Sequence, residues 1–83
     1  MVGRQTTVAM TRVEDSKILG MLNAPEGEVK VVKHVDDEIV RVYHSTESAE
    51  VAEYGYDNVV LTEDEAESLA QEYANGYIAG LEQ

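Results

Sequence analysis

The chain has 83 residues, with 6 Lys or Arg against 17 Asp or Glu and no Cys, Trp or Phe, which sets a formal charge of −11. Direct electrostatic binding to DNA, RNA or anionic lipid is argued against, because those ligands need Lys and Arg on the surface. A disulfide framework, a thiolate zinc site and a Cys nucleophile are ruled out by composition.

Apolar runs stop after a few residues, far short of the ~20 that a membrane-spanning helix needs. Residues 1–10 hold no apolar stretch behind Arg4 of the kind a secretory signal carries. The expectation is one small acidic domain over residues 1–83, cytoplasmic and without a cofactor. Its hydrophobic share of 43% is a normal globular value. A chain this short buries only about 60–65% of its unfolded surface, and its net charge opposes compaction, so the domain should gain stability from salt.

Residues 5–13 are rich in Thr and Val, with Val8 and Met10 alternating against smaller or polar neighbours, and predict a strand. Glu14-Asp15-Ser16 then opens a segment in which Ile18, Leu19, Met21 and Leu22 are spaced as on a short helix. Asn23 to Gly27 holds the single Pro close to a Gly and predicts a loop.

Two β-branched runs, Val29–Val35 and Ile39–Tyr43, flank Asp36-Asp37-Glu38 and predict a hairpin within residues 28–44. A turn at Asp36-Asp37 would pair Val35 with Glu38, Lys33 with Val40 and Val31 with Val42, although a longer loop is an equal alternative. One face then carries Val29, Val31, Val35, Val40 and Val42, interrupted by Lys33. The other carries Lys30, Val32, His34, Ile39, Arg41 and Tyr43.

Ser45 to Tyr54 predicts a short helix closed by Gly55, with an irregular strand as the alternative reading. Val59-Val60-Leu61 reads as a short strand or a strand-like entry to the last helix. Thr62-Glu63-Asp64-Glu65 is a capping box that opens this helix over about 63–81. Its stripe is Ala66, Leu69, Ala70, Tyr73, Tyr77, Ile78 and Leu81. Gly76 and Gly80 would let the last turns fray or pack very closely. The fold class is α+β: a small antiparallel sheet packed against the C-terminal helix, with one or two additional short helices.

The charge is one-sided. Residues 1–41 carry seven acids and six bases, a net of −1, whereas residues 42–83 carry ten acids and neither Lys nor Arg, a net of −10. Glu47, Glu50 and Glu53 recur every third residue and would climb one side of a helix at about 4.5 Å per step. Glu63, Asp64, Glu65 and Glu67 crowd the first turns of the last helix. An ordinary solvated helix mixes signs for pair support. A strip of carboxylates spaced like this approximates a strand of phosphates and could occupy a basic groove built for nucleic acid.

In size and charge, though in no motif, the chain is similar to small phage-encoded anti-CRISPR and anti-restriction proteins. That likeness implies a non-enzymatic inhibitor whose acidic surface mimics DNA and blocks a basic nucleic-acid-handling protein. The partner-binding candidates are Glu47, Glu50, Glu53, Asp57, Glu63, Asp64 and Glu67, with Tyr54 and Tyr56 as aromatic anchors.

The competing expectation is an acidity that serves only solubility or salt adaptation. The protein would then be a structural module, a homodimer through the hairpin edge or the Gly76/Gly80 helix face, or an antitoxin-like partner.

Chemistry of other kinds finds no footing. His34 and His44, the only histidines, fall on opposite faces of the hairpin and read as sheet-surface residues, a poor metal pair. Asp36-Asp37-Glu38 lacks the alternation and glycine of a calcium loop. No nucleophile elbow or phosphate loop is present, so an enzyme is not expected.

Overall fold

The computed structural model describes residues 16–57 and 60–83. The strand expected over 5–13, and Val59 of the expected 59–61 strand, lie outside the described residues. Among these residues four strands, β1 (Ser16–Asn23), β2 (Glu28–His34), β3 (Ile39–His44) and β4 (Ala52–Gly55), precede one helix, α1 (Glu63–Leu81). The strands form an antiparallel meander in the order β1-β2-β3-β4, and α1 packs across one face. The α+β architecture is as expected, whereas the additional short helices are absent among the described residues.

The central hairpin has the expected register, with Val31 opposite Val42 and Lys33 opposite Val40. Its connection is a β-turn centred on Asp36-Asp37: the Glu38 N–H donates to the Val35 carbonyl at 3.2 Å. Glu38 adopts the left-handed φ of 53° that lets the chain re-enter β3. Val35 therefore belongs to the turn, at 40% exposure, and is not part of the core face. The β1–β2 connection needs its glycine. Gly27 has φ 74°, and a Cβ there would lie 2.1 Å from Ser45 Oγ, the oxygen that accepts the Glu28 N–H.

Two segments differ from expectation, each for a tertiary reason. Residues 16–23 form a strand in place of a helix. Ile18 faces Val32 and Gly20 faces Val31, so Leu19 is an extra residue, a β-bulge. The bulge resets the alternation, so Leu19 and Leu22, three apart in sequence, both pack against the core, while Ile18 and Met21 both point away. Helical spacing here is a strand with one residue inserted.

Residues 45–51 form turns and bends, and Ala52–Gly55 is an edge strand, where a helix was the favoured reading. The Val51 N–H donates to the Val42 carbonyl at 2.8 Å and starts the pairing that sets Ala52 and Tyr54 against the core. A helix of about ten residues, with like charges three apart, is marginal in water and loses to that edge. Gly55 ends β4 and caps no helix. Val60 and Leu61 form a bend before α1 and are not a strand, Val60 being 79% exposed.

The core is small and made of small side chains: Val29, Val31, Val40 and Val42 from the hairpin against Ala66, Ala70 and Ala74 from α1. Alanine every fourth residue brings the helix close to the pleated sheet. The buried stripe is thus centred one alanine away from the expected one. Ala74 belongs to it, whereas Leu69, Tyr73 and Leu81 lie at its exposed margins. Gly76 and Gly80 are exposed, and a Cβ at either would meet nothing within 4 Å, so neither mediates close packing. The helix starts as expected, with Thr62 Oγ1 accepting the Glu65 N–H at 3.1 Å and Glu65 Oε1 accepting the Thr62 N–H at 2.9 Å.

Candidate functional site

The nine sequence candidates separate into three groups. Glu53, Glu63 and Glu67 are engaged by cations of the hairpin. Glu53 sits on β4 directly across from Arg41, whose Nε donates to its Oε1 at 3.2 Å. Glu63 and Glu67, one helical turn apart on α1, both hold the Lys33 ammonium, at 2.5 Å and 2.7 Å. This explains why a lysine interrupts a valine face. The stem of Lys33 lies under the helix with its side chain only 12% exposed, and the head reaches the two carboxylates. The Glu63 hydrogen bond, then the Glu67 one, raise the Lys33 pKa above its ordinary 10.5. The pair thus contributes its full stabilisation below pH 10.5 and loses it only as pH rises through the higher folded-state value.

Tyr54 and Tyr56 make the second group. Both rings are half-buried and pack against the core. The Tyr56 N–H donates to the Glu38 carbonyl at 2.8 Å, tying the end of β4 to the hairpin turn. Burial raises the pKa of both phenols, helped at Tyr54 by Tyr73 and Glu72 and at Tyr56 by Glu63. These rings are structural supports in the folded chain, placed between the sheet and the acidic segments.

The third group, Glu47, Glu50, Asp57 and Asp64, is exposed. Glu47, Glu50 and Glu53 do not line up along a helix: the first two belong to the 45–51 loop, and Glu53 points to the sheet face away from α1. Asp64 stands on the outer side of α1, as do Glu65 and Glu72. Leu61, Asp64, Glu65, Ser68 and Leu69 line an open hollow of about 300 Å³. An apolar hollow with a carboxylate rim had no sequence signature, since Leu61 and Leu69 read as a strand and as core.

The histidines do occupy opposite faces. His44, however, is buried at 5% exposure and is not a surface residue. Its Nε2–H donates to the Glu26 carbonyl at 2.7 Å, and in the neutral ring Nδ1 accepts from the Tyr77 hydroxyl at 2.9 Å. Thr46 Oγ1 lies 3.2 Å from the same nitrogen. Every polar atom buried in a described side chain has a partner, so this cluster locks the β1–β2 loop and the 45–51 loop to the end of α1. On the other face His34 Nε2 lies 2.9 Å from the Tyr43 hydroxyl, and its Nδ1 lies 3.3 Å from Ser16 Oγ.

Among the described residues no group of three or more His, Asp or Glu is placed to hold a metal ion. No helix there is long and apolar enough to cross a membrane. Comparison with protein families, curated proteins and solved structures finds no match for the chain.

Proposed function

We propose that the protein is a non-enzymatic inhibitor or regulator that binds a basic, nucleic-acid-handling protein through carboxylates of its second half. The observation that carries this reading is the absence of Lys and Arg from residues 42–83, which hold ten acids. The fold uses part of that charge internally, with Glu53, Glu63 and Glu67 pairing with hairpin cations. Facing outward are Glu47, Glu50 and Asp57 from the loops around β4, and Asp64, Glu65 and Glu72 from α1. None of these has a basic neighbour on its own segment. Such a surface steers a basic partner into contact and releases that partner's bound anions. The hollow beside Asp64 would take an apolar side chain flanked by Lys or Arg. Mimicry of nucleic acid, as in anti-CRISPR or anti-restriction inhibitors, is the form this binding would take.

The test uses charge reversal where the fold does not need the acid. Glu50→Lys with Asp64→Lys removes exposed carboxylates without touching the Lys33 or Arg41 pairs. Immobilised wild-type chain should retain basic proteins from a host lysate, release them in a salt gradient, and compete with duplex DNA for the proteins so released. The double variant should retain them poorly. Retention that survives both the substitutions and high salt refutes the proposal.

A further inference from the structure

The sheet face turned away from α1 is covered by no described element. Strand pairing brings to it Ile18 and Met21 from β1, Val32 from β2, and Ile39 and Tyr43 from β3. Ile18 is 57% and Met21 52% exposed, and the other three are half-buried. Among the described residues the fully buried side chains are nothing larger than valine, so larger apolar groups than any of these sit on this open face.

The charge on the face is unlike that of the rest of the molecule. Lys30 lies 3.8 Å from Glu28, and Arg41 lies 3.2 Å from Glu53, with all four on this side of the sheet. Two cations against two carboxylates, with Glu47 at the rim beside Lys30 and Tyr43, leave the face close to neutral in a chain of charge −11. A second copy can approach such a face without the repulsion that the α1 side would impose. For a strongly charged partner, by contrast, the face offers no steering.

We infer that this open face is a homodimer surface on which two copies stack sheet to sheet, about 10 Å apart. Ile18, Met21, Val32, Ile39 and Tyr43 of each copy would interdigitate. Lys30 and Arg41 would exchange or share the Glu28 and Glu53 carboxylates across the two-fold axis. Four strands at about 4.8 Å spacing and roughly seven residues long present ~400 Å² per copy. That lies below a standard interface and fits a weak dimer. This inference rests on a different surface from the acidic one, and either can fail alone.

Sedimentation equilibrium of the full chain across a wide concentration range tests it. The expected result is a concentration-dependent dimer that tightens as NaCl is raised from about 50 to about 500 mM, because screening relieves the net repulsion while the apolar contact persists. Met21→Glu, at an exposed position, should weaken association at least tenfold while far-UV circular dichroism stays unchanged. Asp64→Lys, on the opposite side of the molecule, should leave it intact. A chain that stays monomeric at every concentration overturns the inference, as does a dimer that dissociates in high salt or is indifferent to Met21→Glu. A monomeric wild-type series overturns the inference without recourse to any variant, and Val32→Glu on the same face provides a second variant should Met21→Glu misfold.

Discussion

Val31 and Val32 are neighbours on β2 that point to opposite faces, which makes them a paired test of the core. Val31 is 1% exposed and packed beneath α1, whereas Val32 lies on the open face and is half-buried. Val31→Ala deletes two buried methyl groups. At ~0.8 kcal/mol each, the transfer part is about 1.6 kcal/mol, and the cavity left in a close-packed site brings the loss to ~2–3 kcal/mol. For a domain of this length, total stability is on the order of 4–12 kcal/mol. The substitution should therefore lower the Tm by roughly 10 °C or more. It should also move the urea midpoint by about 2 M. Val32→Ala should remain within about 1 kcal/mol of wild type, since its side chain is partly hydrated in the monomer. The assay is urea unfolding followed by circular dichroism at low micromolar concentration, where a weak dimer is dissociated. Equal losses for the two variants would refute the assignment of faces. A Val32→Ala loss that grows with protein concentration would instead report burial of the open face in a dimer.

Local geometry sets three further outcomes. Glu38→Gly removes the side chain from a residue at φ 53° and should raise stability by about 0.5–1 kcal/mol in the same urea assay, with no gain refuting a left-handed backbone there. Burial raises the pKa of Tyr54, Tyr56 and Tyr77, so tyrosinate absorbance of the native chain should lag behind that of the unfolded chain as pH climbs past about 10. Stability should fall over the same range, because a raised folded-state value favours the unfolded phenolate, and superimposed titration curves would refute it. A double-mutant cycle of Lys33→Met with Glu67→Gln should give a clear coupling that weakens in salt, and zero coupling would show the contact to be incidental.

The elements legible in the sequence are those whose hydrogen bonds close locally. The hairpin register follows from alternation on either side of a short acidic turn, and the start of α1 follows from Thr62 and Glu65 bonding each other. The illegible ones depend on partners distant in sequence. The bulge at Leu19 converts a two-residue alternation into three-residue spacing, which imitates a helix until the register against β2 is known. Residues 45–55 hold helix-capping letters, but the free edge of β3 offers backbone partners that no local pattern announces. Ala74 is not legible because alanine carries little hydrophobic signal, yet a helix lying close on a valine sheet selects alanine at the contact. His44 read as a surface residue because nothing local reveals that Tyr77, 33 positions later, closes over it.

The same distinction applies to the charge. Counted along the chain, the ten acids of residues 42–83 look like one undivided polyanionic surface. In the fold, three of them hold hairpin cations and a fourth, Glu65, caps α1. Reversing Glu53 or Glu63 would thus set two cations against each other, and reversing Glu67 would leave the 12%-exposed Lys33 side chain without one of its two partners. A loss of binding in such variants would say little about recognition, because the fold itself would be perturbed. The acids that report on binding alone are those with no cation partner among the described residues, such as Glu50 and Asp64. If their reversal leaves partner retention unchanged, the exposed carboxylates are not what the partner reads, and the partner-binding proposal fails on its own ground.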